Sequence, residues 1–340
     1  MSVNIEAAFE KAVAFLLHQR VGSAWTDFDL APGSSDEWVT AYVSKVLAEL
    51  PDNPAADAVE EAWLWLLSRR RAGEGWGYNR LTPRDADSTI WALQLAEQLG
   101  YTHWSSSRQA QAFLAQHVQP CGGVVTYCEE APIRRFVGAP DELSFAGWCQ
   151  PQVCVTAAAA SLPHFFDGTV DYLRQTQVRN GRWCSYWWME DAYATTLAVE
   201  ALAQSGAPSA QQQVNKAVAW GLEQMTPDGF VPSWTRPNGS TFATALVVRL
   251  LLHCDDPQRV AEKVSAGVRW LLTGQQESGG WSASAGLRVP YPDMHHPEEY
   301  EHWLIGHPIE GGVSLDQNGV FTTATAVSAL LKFRHWETCD

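Results

Sequence analysis

A chain of 340 residues, 46% hydrophobic and 18% charged, has ample apolar side chain for one large core, and its 17 tryptophans are far above ordinary usage. A formal net charge of −15 excludes nucleic acid as a partner, because phosphate binding needs clusters of Lys and Arg. Seven cysteines without a C-x-x-C pair suggest neither a disulfide framework nor a zinc ribbon, and point to a reducing, cytoplasmic compartment.

The N-terminal stretch MSVNIEAAFEKAVAFLLHQR places Glu6, Glu10 and Lys11 ahead of a short apolar run and lacks a basic n-region, so no signal peptide is expected. No window reaches the roughly 18 consecutive apolar residues of a spanning helix. The expectation is a soluble protein, peripheral to a membrane only when it collects a lipid-like substrate, and a monomer or weak oligomer.

Helical patterns then alternate along the chain. NIEAAFEKAVAFLLHQ, ADAVEEAWLWLLSRR, SSRQAQAFLAQHV, TVDYLRQTQ, VNKAVAWGLEQ and VSAGVRWLLTGQQ are each followed by a Gly- and aromatic-rich turn. In the last of them Val264, Val268, Leu271 and Leu272 recur at helical spacing. After each turn comes a second stretch built on one template: DEWVTAYVSKVL, DADSTIWALQLAEQLG, QVCVTAAAASL, DAYATTLAVEALAQSG, STFATALVVRLL and GVFTTATAVSALL. A single helical hairpin cannot bury its apolar face alone, so six of them predict an all-α fold, a single α/α (α6–α6) barrel spanning residues 1–340; the alternative is an open solenoid. Two connections are longer, 124–151 and 282–319, and both run from an outer to an inner helix, which places them over the same mouth.

Every second stretch carries Thr at one position: Thr40, Thr89, Thr156, Thr195, Thr244 and Thr323. Two residues earlier stand Trp38, Asp87, Cys154, Tyr193, Phe242 and Phe321, so one repeat alone offers a carboxylate where four others offer rings. Helix geometry turns these residues, with Tyr42 and Trp91 one turn further on, toward the barrel axis. Deeper on that face Lys45, Gln94, Glu200, Arg249 and Ser328 are polar, which limits the apolar chamber to the N-terminal ends of the inner helices. Desolvation in such a chamber favours the neutral acid on Asp87; Asp85, an N-cap as the anion, would disfavour a second ionisation. Trp38, Trp91, Tyr193, Phe242 and Phe321 are the expected substrate lining, and their ring faces would stabilise a carbocation.

The string Asp85-Ala86-Asp87-Ser88-Thr89 resembles the D-x-D-D-T-A motif of class II terpene cyclases, the squalene-hopene cyclase family. The turns in WLLTGQQESGGW and YLRQTQVRNGRW resemble that family's QW repeats. The resemblance implies that Asp87 protonates the terminal alkene or epoxide of a polyprenyl chain and that Asp85 supports it. Ser88 departs from the motif's Asp. A single barrel is similar to the monodomain meroterpenoid cyclases, implying an isoprenoid or meroterpenoid substrate attached to an aromatic acid. The alternatives are a drimenyl- or copalyl-type cyclase of a free prenyl diphosphate, a zinc-dependent prenyltransferase-like barrel, and a non-catalytic lipid-binding barrel. No cofactor is required by protonation chemistry, and Mg²⁺ enters only with a diphosphate. Arg134 and Arg135, with Arg80 and Arg84, are the candidate head-group partners. His295, His296, Glu298, Glu299 and His302 are interrupted by Pro297 and are expected to form a solvated loop rather than a metal site.

Overall fold

The computed structural model describes residues 5–71, 73–207 and 210–339, and of Phe166, Asp167 and Cys339 the backbone alone. The chain runs through α1 (Ile5–His18), a hairpin of β1 (Asp27–Leu30) and β2 (Gly33–Ser35), α2 (Glu37–Ala48), α3 (Ala56–Arg69), α4 (Ala86–Gln98) and α5 (Ser105–Ala115). It continues with α6 (Glu130–Val137), α7 (Val153–Ala159), α8 (Phe166–Thr176), α9 (Asp191–Gln204), α10 (Gln211–Gln224), α11 (Thr241–Leu251) and α12 (Pro257–Thr273). β3 (Gly286–Val289), β4 (Leu304–Ile305) and β5 (Gly312–Leu315) precede the last helix, α13 (Val320–Cys339). The molecule is mostly helical.

Two kinds of helix follow from the two kinds of stretch. In α12 the buried Val260, Val264, Val268 and Leu271 form one stripe, as expected of a helix with a solvated face. Every residue of α11 is buried. Around the centre α2 packs on α4, α4 on α7, α7 on α9, α9 on α11, α11 on α13, and α13 again on α2. Outside them α3 lies against α2 and α4, α5 against α4, α8 against α7 and α9, α10 against α9 and α11, α12 against α11 and α13, and α1 against α13.

The repeated threonine has one task in all six repeats. Its hydroxyl accepts the backbone N–H of the turn that follows the outer helix, at 2.8–3.1 Å, from Trp25, Trp76, Val124, Trp183, Val231 and Trp281 in turn. Where that residue is Trp, its indole N–H donates back to a Leu carbonyl in the last turn of the preceding helix: Leu16, Leu66, Leu173 or Leu271, at 2.6–2.8 Å. Both groups sit in the core, where an unpaired N–H or C=O is penalised by about 1–3 kcal/mol. The turn glycines set the spacing of the outer layer. Gly181 has φ +95° and a Cβ there would overlap the Lys216 carbonyl in α10; Gly279, φ +93°, meets the Lys11 carbonyl in α1 in the same way. The last hairpin thereby abuts the first.

The strands were not expected from the helical period. β1 pairs with β2, and β5 lies between antiparallel β3 and parallel β4. The two long connections thus carry structure of their own, α6 in the first and the β3–β5–β4 sheet in the second; chain crossing the mouth leaves the helices and must pair its backbone groups elsewhere. The connections are tied together by Gly147 N–H to Pro292 O (2.9 Å), Trp148 Nε1 to Pro290 O (2.9 Å) and Gln150 Nε2 to His295 O (2.8 Å). Asp27 joins the first hairpin to the last helix by accepting from the N–H groups of Asn318, Val320 and Phe321.

The opposite end of the central helices is polar, as read for Lys45, Gln94, Glu200 and Arg249. Arg249 donates twice to Glu200, at 3.0 and 2.7 Å, and Lys332 stands 3.7 Å from the same carboxylate. Gln94 donates to the Ala158 carbonyl and to Ser161 Oγ. Lys45 pairs with Glu49.

Candidate active site

Helix α4 begins at Ala86, and its N-terminal residues open onto a cavity of about 410 Å³. Asp85 is the N-cap: its Oδ1 accepts from Ser88 N at 2.7 Å and its Oδ2 from Ser88 Oγ at 3.0 Å. Ser88, the departure from the family motif, therefore supplies a hydroxyl that holds Asp85. Asp36, in the matching place before α2, makes no cap and instead pairs with Arg69 at 3.1 Å. Asp191 accepts from Arg182 Nε at 2.6 Å and Ser185 N at 2.9 Å.

Asp87 stands one residue into α4, and its carboxyl reaches the cavity. Burial first, and then the neighbouring Asp85 charge, push it from 3.8 to about 8, against a small lowering by the Trp91 indole N–H, which makes no full hydrogen bond. Burial raises Asp85 as well, to about 7, against the lowering effect of the two Ser88 hydrogen bonds. At neutral pH the pair therefore holds at least one proton, with Asp87 the later to ionise. Behind Asp85, Arg84 donates to the fully buried Glu37 at 2.8 Å and to the Arg69 carbonyl at 3.0 Å. Its charge is thus engaged away from the cavity.

The walls are largely aromatic and aliphatic. Trp38, Tyr78, Tyr127, Trp148 and Trp187 contribute rings, with Ile133, Phe136 and Val137 of α6 and Leu287 and Val289 of β3. Of the five expected lining rings, Trp38 is on this wall. Trp91, Tyr193, Phe242 and Phe321 lie outside it, at most 2% exposed, and the last three pack on Trp188, which is itself off the wall. Its indole stacks at 4.4 Å on Tyr193, 5.0 Å on Phe242 and 5.2 Å on Phe321. Tyr42 stacks on Phe321 at 4.0 Å and meets Trp91 edge-on.

Arg134 and Arg135 are also off the wall. Ile133, Phe136 and Val137 share the cavity-facing stripe of α6, so the two arginines fall on its other sides; Arg134 bonds Glu130 and the Leu143 carbonyl, and Arg135 is exposed. The cation that does border the cavity is Arg288 on β3, which the helical repeats gave no means of finding. Its side chain alternates away from Leu287 and Val289 and donates to the carbonyls of Ser185, Tyr186 and Pro297, with Trp303 over one face at 5.4 Å. His295 bonds Gln150 and His296 pairs with Glu298, and no cluster suited to a metal occurs among the described residues.

Comparison with known proteins agrees with this geometry. The family model for the squalene-hopene cyclase C-terminal domain matches residues 159–286. An ent-copalyl diphosphate synthase of Streptomyces sp. (strain KO-3988) is 33% identical over 107 residues, 31% of this chain and 20% of that enzyme. A copalyl diphosphate synthase of Streptomyces cyslabdanicus is 31% identical over 100 residues, 29% of this chain and 18% of its own. The match spans about a fifth of the length of these curated relatives. The type II terpene cyclase MstE from Scytonema superposes with a TM-score of 0.94 at 42% identity, covering 98% of this chain and 99% of MstE. Single-residue variants of MstE have been seen with geranylgeranyl dihydroxybenzoate as substrate (TM-score 0.93, 42% identity, 98% and 97% covered) and with merosterolic acid A as product (TM-score 0.93, 43% identity, 98% and 97% covered). With that identity over nearly the full length of both chains, the protein belongs to the type II terpene cyclases.

Proposed function

We propose that this protein cyclises a polyprenyl chain attached to an aromatic acid, starting by proton transfer from Asp87. The observation that carries the reading is a carboxylic acid held largely neutral at pH 7 on the wall of an apolar, aromatic cavity. The Asp87 proton adds to the terminal alkene or opens an epoxide, leaving carboxylate on Asp87 and a tertiary carbocation on the chain. Successive alkenes attack that cation, the last ring loses a proton to solvent, and Asp87 takes one back from solvent, so that no net proton is consumed. Asp85, held by Ser88, keeps a second acid group beside Asp87 and holds its pKa up. Trp38, Tyr78, Tyr127 and Trp187 offer ring faces to the moving charge without a strong nucleophile. Proton transfer to carbon needs no metal.

The MstE complexes with a geranylgeranylated dihydroxybenzoate and its cyclised product support an aromatic acid as the head group. A free diphosphate is the weaker reading, because it needs several converging cations and Arg134, Arg135 and Arg84 all turn elsewhere. The closed order of the six buried helices, with six more outside them, supports one α6–α6 barrel over residues 1–340. Incubating the protein with farnesylated and geranylgeranylated dihydroxybenzoates, beside the free diphosphates, is expected to give products of unchanged mass with fewer alkenes from the aromatic substrates. Recovery of every substrate intact would refute the reading.

The substrate's lipid character also suggests where it enters. Phe136, Val137 and Ile309, 37%, 39% and 50% exposed, rim the cavity. Leu304 and Ile305 are exposed on the same second connection. No helix among the described residues is long and apolar enough to cross a membrane. Transient contact through this rim predicts weak co-sedimentation with phosphatidylcholine vesicles, reduced by Phe136→Ser with Ile309→Ser; equal binding of the double variant would refute it.

A further inference from the structure

The tryptophan at the centre of the molecule does more than complete the core. Trp188 is 1% exposed and is surrounded by rings from every side: Trp38 at 5.8 Å from α2, Tyr193 from α9, Phe242 from α11, Phe321 from α13, and Phe28 at 5.8 Å from β1. It belongs to none of the central helices. It enters their midst from the segment ahead of α9 and occupies the place toward which the repeat pattern turns Tyr193, Phe242 and Phe321. Its neighbours in sequence and across the sheet, Trp187 and Leu287, are cavity wall, and so is Trp38, which its ring touches.

The segment that carries it is fixed. Trp188 bridges to Leu287, Met189 N–H donates to Gly286 O at 3.0 Å, and Arg288 N–H donates to Trp187 O at 2.9 Å, so residues 187–189 run as an added strand beside β3. The Arg288 guanidinium then takes the carbonyls of Ser185 and Tyr186 from the same segment. Arg288 is 3% exposed and has no carboxylate within ion-pair distance among the described residues. A buried cation held by neutral carbonyls is a poor source of stability, and here what it holds is the position of one indole.

We infer that Trp188, packed directly behind the wall residues Trp38, Trp187 and Leu287, is the plug that ends the cavity and sets how many isoprene units the site can fold, with Arg288 as the positioning residue that keeps the plug in place. This rests on the proposed cyclase reading. On its other side lie the rings of Tyr193, Phe242 and Phe321, so a smaller side chain at 188 opens space between those rings and the cavity wall. Truncating an indole frees on the order of 150 Å³, the size of hole that an apolar guest of benzene's size can occupy, and close to one five-carbon isoprene unit.

The test compares wild type, Trp188→Ala and Trp188→Phe on dihydroxybenzoates carrying three, four and five isoprene units, with Asp87→Asn as the inactive control. Folding is checked by circular dichroism and Tm. The expected result is a rise of at least tenfold in the ratio of kcat/KM for the longer chain over the shorter in Trp188→Ala, with Trp188→Phe between it and wild type. Arg288→Gln should broaden the product mixture from each substrate while Trp188 is retained. If Trp188→Ala does not fold, the smaller shift in Trp188→Phe decides. An unchanged ratio in a folded variant overturns the inference and leaves the cyclase reading standing. Failure of wild type to cyclise any of the three overturns both.

Discussion

Asp87→Asn should abolish cyclisation, by about 10³-fold or more in kcat, while leaving the fold and the binding of substrate intact. The amide matches the carboxyl in shape but has no proton acidic enough to give to an alkene. Wild-type activity is expected to be level through neutral pH and to fall as pH rises through about 8, where the Asp87 proton is lost. Asp85→Asn removes the negative charge that helps to hold that proton, so the alkaline fall moves to lower pH. Stability carries the same signature. Because burial raises Asp87 above its ordinary 3.8, the folded state binds more protons than the unfolded one between about 4 and 8, and folding loses free energy as pH rises through that window. Asp87→Asn escapes this loss. Its Tm should exceed that of wild type by about 2–4 °C at pH 8, with the gap closing below pH 4. A variant that cyclises at the wild-type rate, or a profile flat through pH 9, would remove Asp87 from the role of acid.

What was legible in the sequence is what the repeats state six times over. Thr89 and its five equivalents stand out because each accepts one turn N–H, a demand that recurs identically in every hairpin. Asp87 stands out by the opposite logic, as a carboxyl at a place where four other repeats put rings. Neither signal extends to parts that occur once. Trp188 lies outside the aligned helices, so a rule based on helix faces assigned the axial space to Tyr193, Phe242 and Phe321 and had no term for a side chain entering from a loop. Arg288 sits on a four-residue strand in a long connection where the helical period marks no element. Charge alone singles out Arg134 and Arg135, yet the facing of α6 is set by buried Ile133 with Phe136 and Val137 at the cavity rim, which turns the arginines away. Asp27 stands nearly 300 residues from the helix end whose N–H groups it accepts, and no local pattern joins the two.

At the other end of the same central helices, Glu200→Gln is expected to destabilise the protein by about 3 kcal/mol, or roughly 5–10 °C in Tm. Arg249 is 4% exposed, and its two hydrogen bonds to Glu200 are what compensate a charge removed from water. The amide leaves that charge buried and unpaired. The direction with pH is the reverse of that for Asp87. Although burial by itself would raise Glu200, the guanidinium of Arg249 and then Lys332 outweigh it and hold the carboxyl well below its ordinary 4.5. Its contribution is therefore fully present above about 4.5 and is lost as pH falls toward the depressed folded value. The stability gap between wild type and Glu200→Gln should be constant at neutral pH and shrink in acid, and a gap that stayed constant down to pH 3 would show that the pair does not titrate with folding. The opposed slopes have one cause. Both carboxyls lie in low-dielectric surroundings among the central helices, but Glu200 has a cation in contact and stays ionised, whereas Asp87 has a second carboxyl for a neighbour and keeps its proton. At the other end Arg84 and Arg288 are engaged by Glu37 and by backbone carbonyls, which leaves Asp87 with no cation in contact to turn it into its anion, the condition for protonating an alkene there.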